Sequence, residues 1–325
     1  MLKPGYEEAV HMRIGLVLGG GGLTGGAFHA GVVAALAEAG GWDARTAGVL
    51  LGTSAGSITA TSLAAGMPPA DLAARALGQE LSPAGAAILA RVSPGAREFA
   101  ASEAASRAPA SPDLLRAMAR DPLQAHPGKV VAAALPEGRI STAPIARSMG
   151  ELCTGSWPST RLRLTAFRLS DGQTVVFGRP GAPPPPIGSA VAASCAIPGY
   201  FTPVNIDGER YVDGGTTSAC NADAVMHEDV DVVIVSAPMA IHSGVTLAPD
   251  VPWRRVMRRQ VDREITRLRA AGKDVFLFAP GKAEISAMGP NPMAPGREAA
   301  VTAATVEAAT ARIAADSRLR DLGGS

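Results

Sequence analysis

Short apolar runs recur along this chain, and longer segments with helical patterns lie between them. The apolar runs are rich in Val, Ile, Leu and Phe. They are Ile14–Leu18, Val49–Leu51, Leu162–Phe167, Thr174–Phe177, Asp231–Ser236 and Asp274–Phe278. The helical patterns cover Ala27–Ala39, Ala55–Ala65, Ser189–Ala196, Arg254–Ala271 and Ala299–Leu319. Continuous apolar strands that alternate with helices are typical of a mostly parallel sheet covered on both faces, so an α/β fold is predicted.

The length of 325 residues fits one large α/β domain. We therefore predict a single domain over residues 1–325, with a core at about 13–280 and a C-terminal helix at about 299–319. Between residues 67 and 147 the composition shifts to alanine, proline and scattered arginine, with a strand-like run only at Val130–Leu135. This segment is interpreted as a helical insertion, which is either a lid or acyl-binding wall or a plain surface excursion.

The charges of the chain nearly cancel, with 30 basic and 29 acidic side chains and a net charge of +1. This balance disfavours nucleic acid as a partner. Two long uncharged stretches, Ile14–Ala37 and Ala47–Met67, are interrupted by glycine, serine and threonine. This pattern favours a strand, a turn and a helix over a membrane-spanning helix. The N-terminus lacks the apolar core of an export signal. We expect a soluble, cytoplasmic protein without a cleaved leader.

Three cysteines, Cys153, Cys195 and Cys220, are widely spaced and form no metal-ligand pattern. An odd number of separated thiols fits reduced, buried cysteines in a cytosolic protein. We expect neither a metal nor another cofactor.

A glycine-rich turn at residues 19–25 follows the first apolar run and precedes a helix expected to begin near Gly26. Glycines let the chain bend so that backbone N–H groups converge with a helix N-terminus, which makes a site for negative charge. The charge could belong to an oxyanion or to a phosphate.

The same turn also matches a dinucleotide-binding fingerprint. Gly20, Gly22 and Gly25 have the G-x-G-x-x-G spacing, and Asp43 lies at roughly the distance of a ribose ligand. However, Asp43 precedes the next strand, whereas the ribose-binding acid belongs at that strand's end. The position of Asp43 weakens the nucleotide interpretation.

A second glycine-rich turn places Ser54 between Gly52 and Gly56, after an apolar strand and before a helix. This is the arrangement of a nucleophile elbow, in which a sharp turn exposes a serine hydroxyl. The alternative is that Ser54 caps the helix. The flanking strand and helix, together with the upstream glycines, favour the nucleophile.

A serine nucleophile needs a base, and histidine is the usual one. The chain has five histidines, His11, His29, His126, His227 and His242. His29 lies on an apolar helix, where a packing role is expected. His242 follows the run Asp231–Ser236 and is the one histidine placed credibly at a strand's carboxyl end.

An acid offers a different base. Asp213 ends a short strand and is followed by Gly214 and Gly215, which let other backbone come close and leave the carboxylate facing a cleft. An ordinary Asp-Gly turn is the alternative.

The glycine turn, the Ser54 elbow about thirty residues later and Asp213-Gly214-Gly215 resemble, in that order, the signature blocks of the patatin-like phospholipases. A fourth block at residues 193–201, ASCAIPGYF, is similar to that family's segment ahead of the aspartate. The likeness spans Arg13 to about Pro280. It implies a three-layer α/β/α sandwich and a Ser-Asp dyad without histidine, with Ser54 as nucleophile and Asp213 as its base.

The resemblance implies acyl transfer through a serine intermediate, with the oxyanion held by the amides of Gly20, Gly21, Gly22 and Ala55. Many family members carry Arg or Lys in the glycine turn, where this chain has Thr24. Help from a cation in holding an anionic headgroup is then in doubt, so a lipid or fatty-acyl ester is a firmer expectation for the substrate than a phospholipid.

The run from Arg254 to Lys273 is rich in arginine, with apolar residues recurring at helical spacing. The pattern predicts an amphipathic basic helix whose apolar stripe packs on the sheet while its arginines face solvent. The alternative is that the helix docks on anionic lipid and gives peripheral membrane contact.

Three functions are therefore weighed. The first is hydrolysis of lipid esters by Ser54 and Asp213. The second is an α/β-hydrolase-type esterase with a histidine base, which is disfavoured because too few strands precede the elbow. The third is a noncatalytic nucleotide-, anion- or lipid-binding protein that uses the glycine turn.

Overall fold

The computed structural model describes residues 12–94, 108–121, 125–242, 245 and 250–324. The predictions about the N-terminal leader and about residues 95–107 and 122–124 of the insertion lie outside the described residues.

Within these ranges the strands and helices are as follows. The strands are β1 Ile14–Leu18, β2 Val49–Gly52, β3 Leu162–Arg168, β4 Thr174–Phe177, β5 Val204–Ile206, β6 Glu209–Asp213, β7 Val232–Ser236 and β8 Asp274–Phe278. The helices are α1 Gly22–Glu38, α2 Ala55–Ala64, α3 Pro69–Leu77, α4 Pro83–Leu89, α5 Pro112–Arg120, α6 Pro127–Ala134, α7 Ala143–Leu152, α8 Ile187–Ser194, α9 Val251–Ala270, α10 Lys282–Met288, α11 Glu298–Ala315 and α12 Ser317–Arg320.

The strands form one mixed sheet in the order β5-β6-β3-β2-β1-β7-β8, with β4 also paired to β3. Strands β3, β2, β1, β7 and β8 run parallel, whereas β4, β5 and β6 pair in the antiparallel sense. All six predicted strands are present, with ends that differ by no more than one residue. The predicted α/β fold with a mostly parallel sheet is confirmed.

Two apolar layers cover the two faces of this sheet. Leu16 and Leu18 of β1 contribute to a core shared with α1, α2, α8 and α11, while Val17 contributes to a second core shared with α9. This alternation follows from the two-residue period of a strand. Helices therefore bury both faces, which gives the three-layer α/β/α arrangement.

Two predictions about secondary structure were wrong. The run Val130–Leu135 is not a strand but lies in helix α6 and just beyond it. Pro127 occupies its first turn, the His126 ring accepts a hydrogen bond from the amide of Gly128, and three alanines favour a helix. Helix α1 begins at Gly22 rather than near Gly26, so the glycine turn includes the first turn of the helix.

The described part of the insertion is mostly helical. Met67, just before α3, and Ile88 of α4 join the core on the α1 face. Helices α5 and α6 instead pack on Phe167, Leu169 and Val212, over the carboxyl end of β3. Strand β2 also ends at this edge of the sheet. Helices α5 and α6 therefore lie beside the residues that follow β2 and β3. The single-domain assignment and the function of this insertion as a lid stay predictions.

Helix α9 is a basic amphipathic helix packed on the sheet, as predicted, but Arg254 in its first turn is buried rather than facing solvent. Val261, Ile265 and Leu268 are buried in the second core, and Arg255 and Arg259 are exposed. No helix among the described residues is both long and apolar enough to cross a membrane.

Candidate active site

Strand β3 aligns the two segments that carry Ser54 and Asp213. Gly52, at the end of β2, lies opposite Leu164. Asp213, at the end of β6, lies opposite Ala166, two residues further along β3. The parallel strand β2 and the antiparallel strand β6 therefore end next to each other on β3. This pairing brings together two residues that are 159 positions apart in the sequence.

Ser54 occupies a strained turn. Its φ is 53° and its ψ is −122°, a conformation that few residues other than glycine adopt. The flanking glycines are required by close packing: a Cβ at Gly56 would lie 2.0 Å from the carbonyl oxygen of Leu18, and one at Gly52 would lie 2.5 Å from Cα of Ser57. The local sequence thus fits the geometry of a nucleophile elbow.

The end of helix α8 holds the backbone of the elbow. The amide of Ser54 donates to the hydroxyl oxygen of Ser194 at 2.9 Å, and the thiol of Cys195 donates to the carbonyl oxygen of Ser54 at 3.3 Å. Ala196 accepts a hydrogen bond from the amide of Asp213 at 2.9 Å. The fourth sequence block therefore contacts both the serine and the aspartate.

The Ser54 hydroxyl lies close enough to the Asp213 carboxylate to favour its charged form. Both residues are buried, with 7% and 5% of their surface exposed. Burial raises the pKa of Asp213 from 3.8 to about 6, although the neighbouring Ser54 hydroxyl and the hydrogen bond from the amide of Gly215 act in the opposite direction. The Gly215 amide lies 2.7 Å from Oδ1 of Asp213. A desolvated carboxylate with a raised pKa is a better proton acceptor than an exposed aspartate.

Asn221 is a site residue that the sequence analysis missed. Its side-chain amide donates to the hydroxyl of Thr53 at 3.2 Å, to the carbonyl oxygen of Gly214 at 3.1 Å and to that of Ser218 at 2.8 Å. It thus joins the neighbour of Ser54 to the neighbour of Asp213. Asn221 also has a φ of 51°. A lone asparagine eight residues after an Asp-Gly pair carries no recognisable signal, so only the three-dimensional structure reveals this link.

The glycine turn lies against the elbow, and its backbone N–H groups differ in whether they already have a hydrogen-bond acceptor. The prediction that the Gly20 amide holds an oxyanion was wrong, because this N–H donates to the carbonyl oxygen of Ala219 at 2.7 Å. Gly20 is instead needed for close approach, since a Cβ there would lie 3.3 Å from Cβ of Ser54. Among the described residues, no acceptor is found for the amides of Gly21, Gly22 and Ala55. These groups belong to the starts of α1 and α2, where helices leave N–H groups without intrahelical partners.

Thr24 does not face a headgroup site. It is buried, and its amide donates to the carbonyl oxygen of Pro292 at 3.1 Å. The turn around Pro292 and Met293 also lies against Gly22. The position at which many family members carry a cation is therefore used here to attach a C-terminal turn to α1.

No histidine ring is a hydrogen-bond partner of Ser54 or Asp213 in the part of the chain that the structure describes. His29 is buried beneath the glycine turn, where its ring nitrogens lie 2.8 Å from Oγ of Ser236 and 2.7 Å from the carbonyl oxygen of Gly19. Burial lowers the pKa of His29 to about 4, against the effect of the Gly19 hydrogen bond. His242 lines a separate cavity of about 390 Å³ between α1, β8, α10 and α11.

Asp43 is engaged outside the site. Its carboxylate caps a short 3-10 turn before β2 and pairs with Arg45, with 2.6 Å between the closest atoms. This is the amino end of β2, whereas the glycine turn follows the carboxyl end of β1. The geometry does not support the ribose-binding function considered for Asp43.

Comparison with known protein families identifies the family of this chain. A family model described as patatin-like phospholipase matches residues 16–226, and the chain therefore belongs to the patatin-like phospholipase family, a family of lipid hydrolases. A search among curated proteins finds no match.

The solved structures that resemble the chain include VipD and ExoU. VipD from Legionella pneumophila is 16% identical, with a TM-score of 0.45, and the match covers 96% of this chain and 67% of VipD. The type III effector protein ExoU is 16% identical, with a TM-score of 0.36, and the match covers 96% of this chain and 54% of ExoU. The chain thus spans about half the length of ExoU.

Proposed function

We propose that the chain is a lipid acyl hydrolase that cleaves carboxylic esters through a Ser54 acyl-enzyme, with Asp213 as the general base. One observation carries this proposal: the hydroxyl of a serine on a strained elbow lies beside a buried carboxylate whose pKa is raised to about 6. Membership of the patatin-like phospholipase family supports a lipid ester as the substrate.

In the first half of the reaction, Oγ of Ser54 attacks the carbonyl carbon of the ester while its proton passes to Asp213. The amides of Gly21, Gly22 and Ala55 then stabilise the negative charge on the tetrahedral intermediate. As the intermediate collapses, the carbon–oxygen bond to the alcohol breaks and the alcohol takes the proton from Asp213. The acyl group remains bound to Ser54.

In the second half, a water molecule attacks the acyl-enzyme and gives a proton to Asp213. Collapse of the second intermediate releases the fatty acid and returns the proton to Oγ of Ser54. The carboxylate thus accepts and donates a proton in each half, which a pKa of about 6 allows near neutral pH.

The test is turnover on a panel of short- and long-chain acyl esters and phospholipids. The native protein should hydrolyse esters, and the Ser54→Ala variant should be inactive with an unchanged circular dichroism spectrum. The variant Ser57→Ala, a neighbouring hydroxyl on α2 that bonds to the Ser54 carbonyl, is a matched control and should keep measurable activity. Turnover by Ser54→Ala at the native rate would refute the proposal.

A further inference from the structure

The large apolar side chains that the described residues leave exposed all belong to segments next to the active site. They are Leu23, Val130, Val131, Leu135, Tyr200, Trp253 and Val256. Exposed apolar residues normally occur singly over a surface, so their concentration at one edge of the sheet points to an interaction. We call these seven residues the apolar rim.

One side of the apolar rim lies beside the Asp213 loop. Helix α6 contacts this loop, because Gly128 packs on the carbonyl oxygen of Thr216. Val131 and Leu135 are four residues apart, and Leu135 reaches Gly199, next to the exposed Tyr200. Tyr200 follows the α8 end that anchors the elbow. These exposed side chains therefore belong to segments that lie next to the Asp213 loop or follow the end of α8.

The other side of the apolar rim lies beside the glycine turn. Arg254 of α9 is buried and donates to the carbonyl oxygen of Pro238 at 2.6 Å. Pro238 in turn packs against Gly21, since a Cβ at Gly21 would lie 2.8 Å from its side chain. The same first turns of α9 expose Trp253, with 55% of its surface accessible, and Val256. Leu23 stands at the start of α1, in the glycine turn itself.

The charges near the apolar rim favour an anionic partner. Three carboxylates near it each pair with an arginine. The pairs are Asp250–Arg254, Glu137–Arg210 and Asp262–Arg258. Arg139, Arg255 and Arg259 are exposed, and within the described residues no carboxylate pairs with them. Exposed tryptophan, tyrosine and valine flanked by arginine suit the boundary between lipid headgroups and acyl chains.

We propose that the apolar rim is the surface by which this protein docks on an anionic lipid layer, so that the Ser54 site faces the layer. This proposal rests on the proposed function, because an enzyme that cleaves an ester within a lipid aggregate must reach the ester from the surface of the aggregate. Docking itself requires only the surface, and it can be measured without catalysis.

The experiment measures flotation of the Ser54→Ala protein with vesicles of phosphatidylcholine, with and without phosphatidylglycerol. The protein should bind the anionic vesicles and bind the neutral ones far more weakly. Exchanging Arg255 and Arg259 together for glutamine should weaken binding about 25-fold, since each cation near an anionic surface contributes about fivefold. The double change Val131→Ser with Trp253→Ser should weaken binding about tenfold or more.

The matched control is Arg320→Gln against Arg259→Gln. Arg320 is also exposed, but it lies on α12, which packs at Gly40 beyond the opposite end of α1. Arg259→Gln should weaken vesicle binding about fivefold, and Arg320→Gln should leave it unchanged. Equal effects of the two changes would mean that net charge, rather than the apolar rim, governs binding, and would overturn the proposal.

Turnover separates a failure of docking from a failure of the proposed function. With Ser54 restored, the Val131→Ser and Trp253→Ser protein should hydrolyse a monomeric short-chain ester within about twofold of the native rate but lose most of its activity on vesicles. Inactivity of the native protein on every ester, with vesicle binding that depends on the apolar rim, would refute the function and support docking. Vesicle binding unaffected by these changes would overturn docking. So would self-association through the apolar rim without vesicle binding.

Discussion

Replacing Asp213 with asparagine should abolish ester hydrolysis and, at the same time, stabilise the folded protein at alkaline pH. In the native chain, burial raises the pKa of this carboxyl from 3.8 to about 6. The folded state therefore binds the proton more tightly than the unfolded state does. The contribution of Asp213 to native stability should fall as the pH rises from about 4 to about 6 and then stay constant, because above that range the buried carboxylate is fully charged.

The size of this effect follows from the two pKa values. One pKa unit is worth about 1.4 kcal/mol, so the charged carboxylate destabilises the fold by about 3 kcal/mol above pH 6. Asparagine is neutral and similar in shape, and its oxygen can still accept the hydrogen bond from the Gly215 amide. The Asp213→Asn variant should therefore be more stable than the native protein by up to about 3 kcal/mol at pH 8, with little of that difference left near pH 4.

The assay is urea denaturation of both proteins at pH 4 and pH 8. Comparing the native–variant difference at the two pH values removes effects of the substitution that do not depend on pH. A difference that is the same at both pH values would mean that Asp213 does not hold a raised pKa, and it would remove the basis for its role as a base. A gain in stability with a loss of turnover is the pattern expected of a strained catalytic group.

Three further predictions concern the same site. The value of kcat/KM should fall about tenfold per pH unit below about pH 6 and be constant just above it, because only the ionised Asp213 accepts a proton; a profile flat down to pH 4 would contradict this. The Asn221→Gly variant removes the side-chain amide, and glycine tolerates the φ of 51° at this position. This change should lower kcat about tenfold or more, with a smaller change in KM. A lowered melting temperature with a native kcat would instead indicate that Asn221 has a structural role alone. His242→Ala should keep turnover within about twofold, and its inactivation with the fold intact would favour a histidine base.

Much of the fold followed from the apolar runs, because a parallel strand buried on both faces has a nearly continuous apolar sequence. The short antiparallel strand β5 was not predicted, because Val204–Ile206 is only three residues long and half-exposed. Val130–Leu135 was misassigned because a short run of valine and alanine has no period that separates strand from helix. Pro127 and the His126 cap decide in favour of the helix.

The elbow and the Asp213 loop could be found from sequence because sharp turns need glycine at fixed positions. Their contact could not, since it depends on the pairing of β2 and β6 along β3. The Gly20 amide shows the same limit: a glycine pattern locates the turn, but the acceptor, Ala219, comes from a segment 199 residues away. The apolar rim could not be predicted from the sequence either, because the exposure of Trp253 depends on which face of α9 packs on the sheet.

The most direct test of the central claim is covalent labelling with a fluorophosphonate probe, followed by mass spectrometry of the modified peptide. The probe should attach to Oγ of Ser54, at a rate that rises with pH through about 6, and Ser54→Ala should remain unlabelled. Asp213→Asn should react far more slowly. Labelling of Ser54→Ala at the native rate, or of Asp213→Asn as fast as the native protein, would contradict an activated Ser54–Asp213 pair.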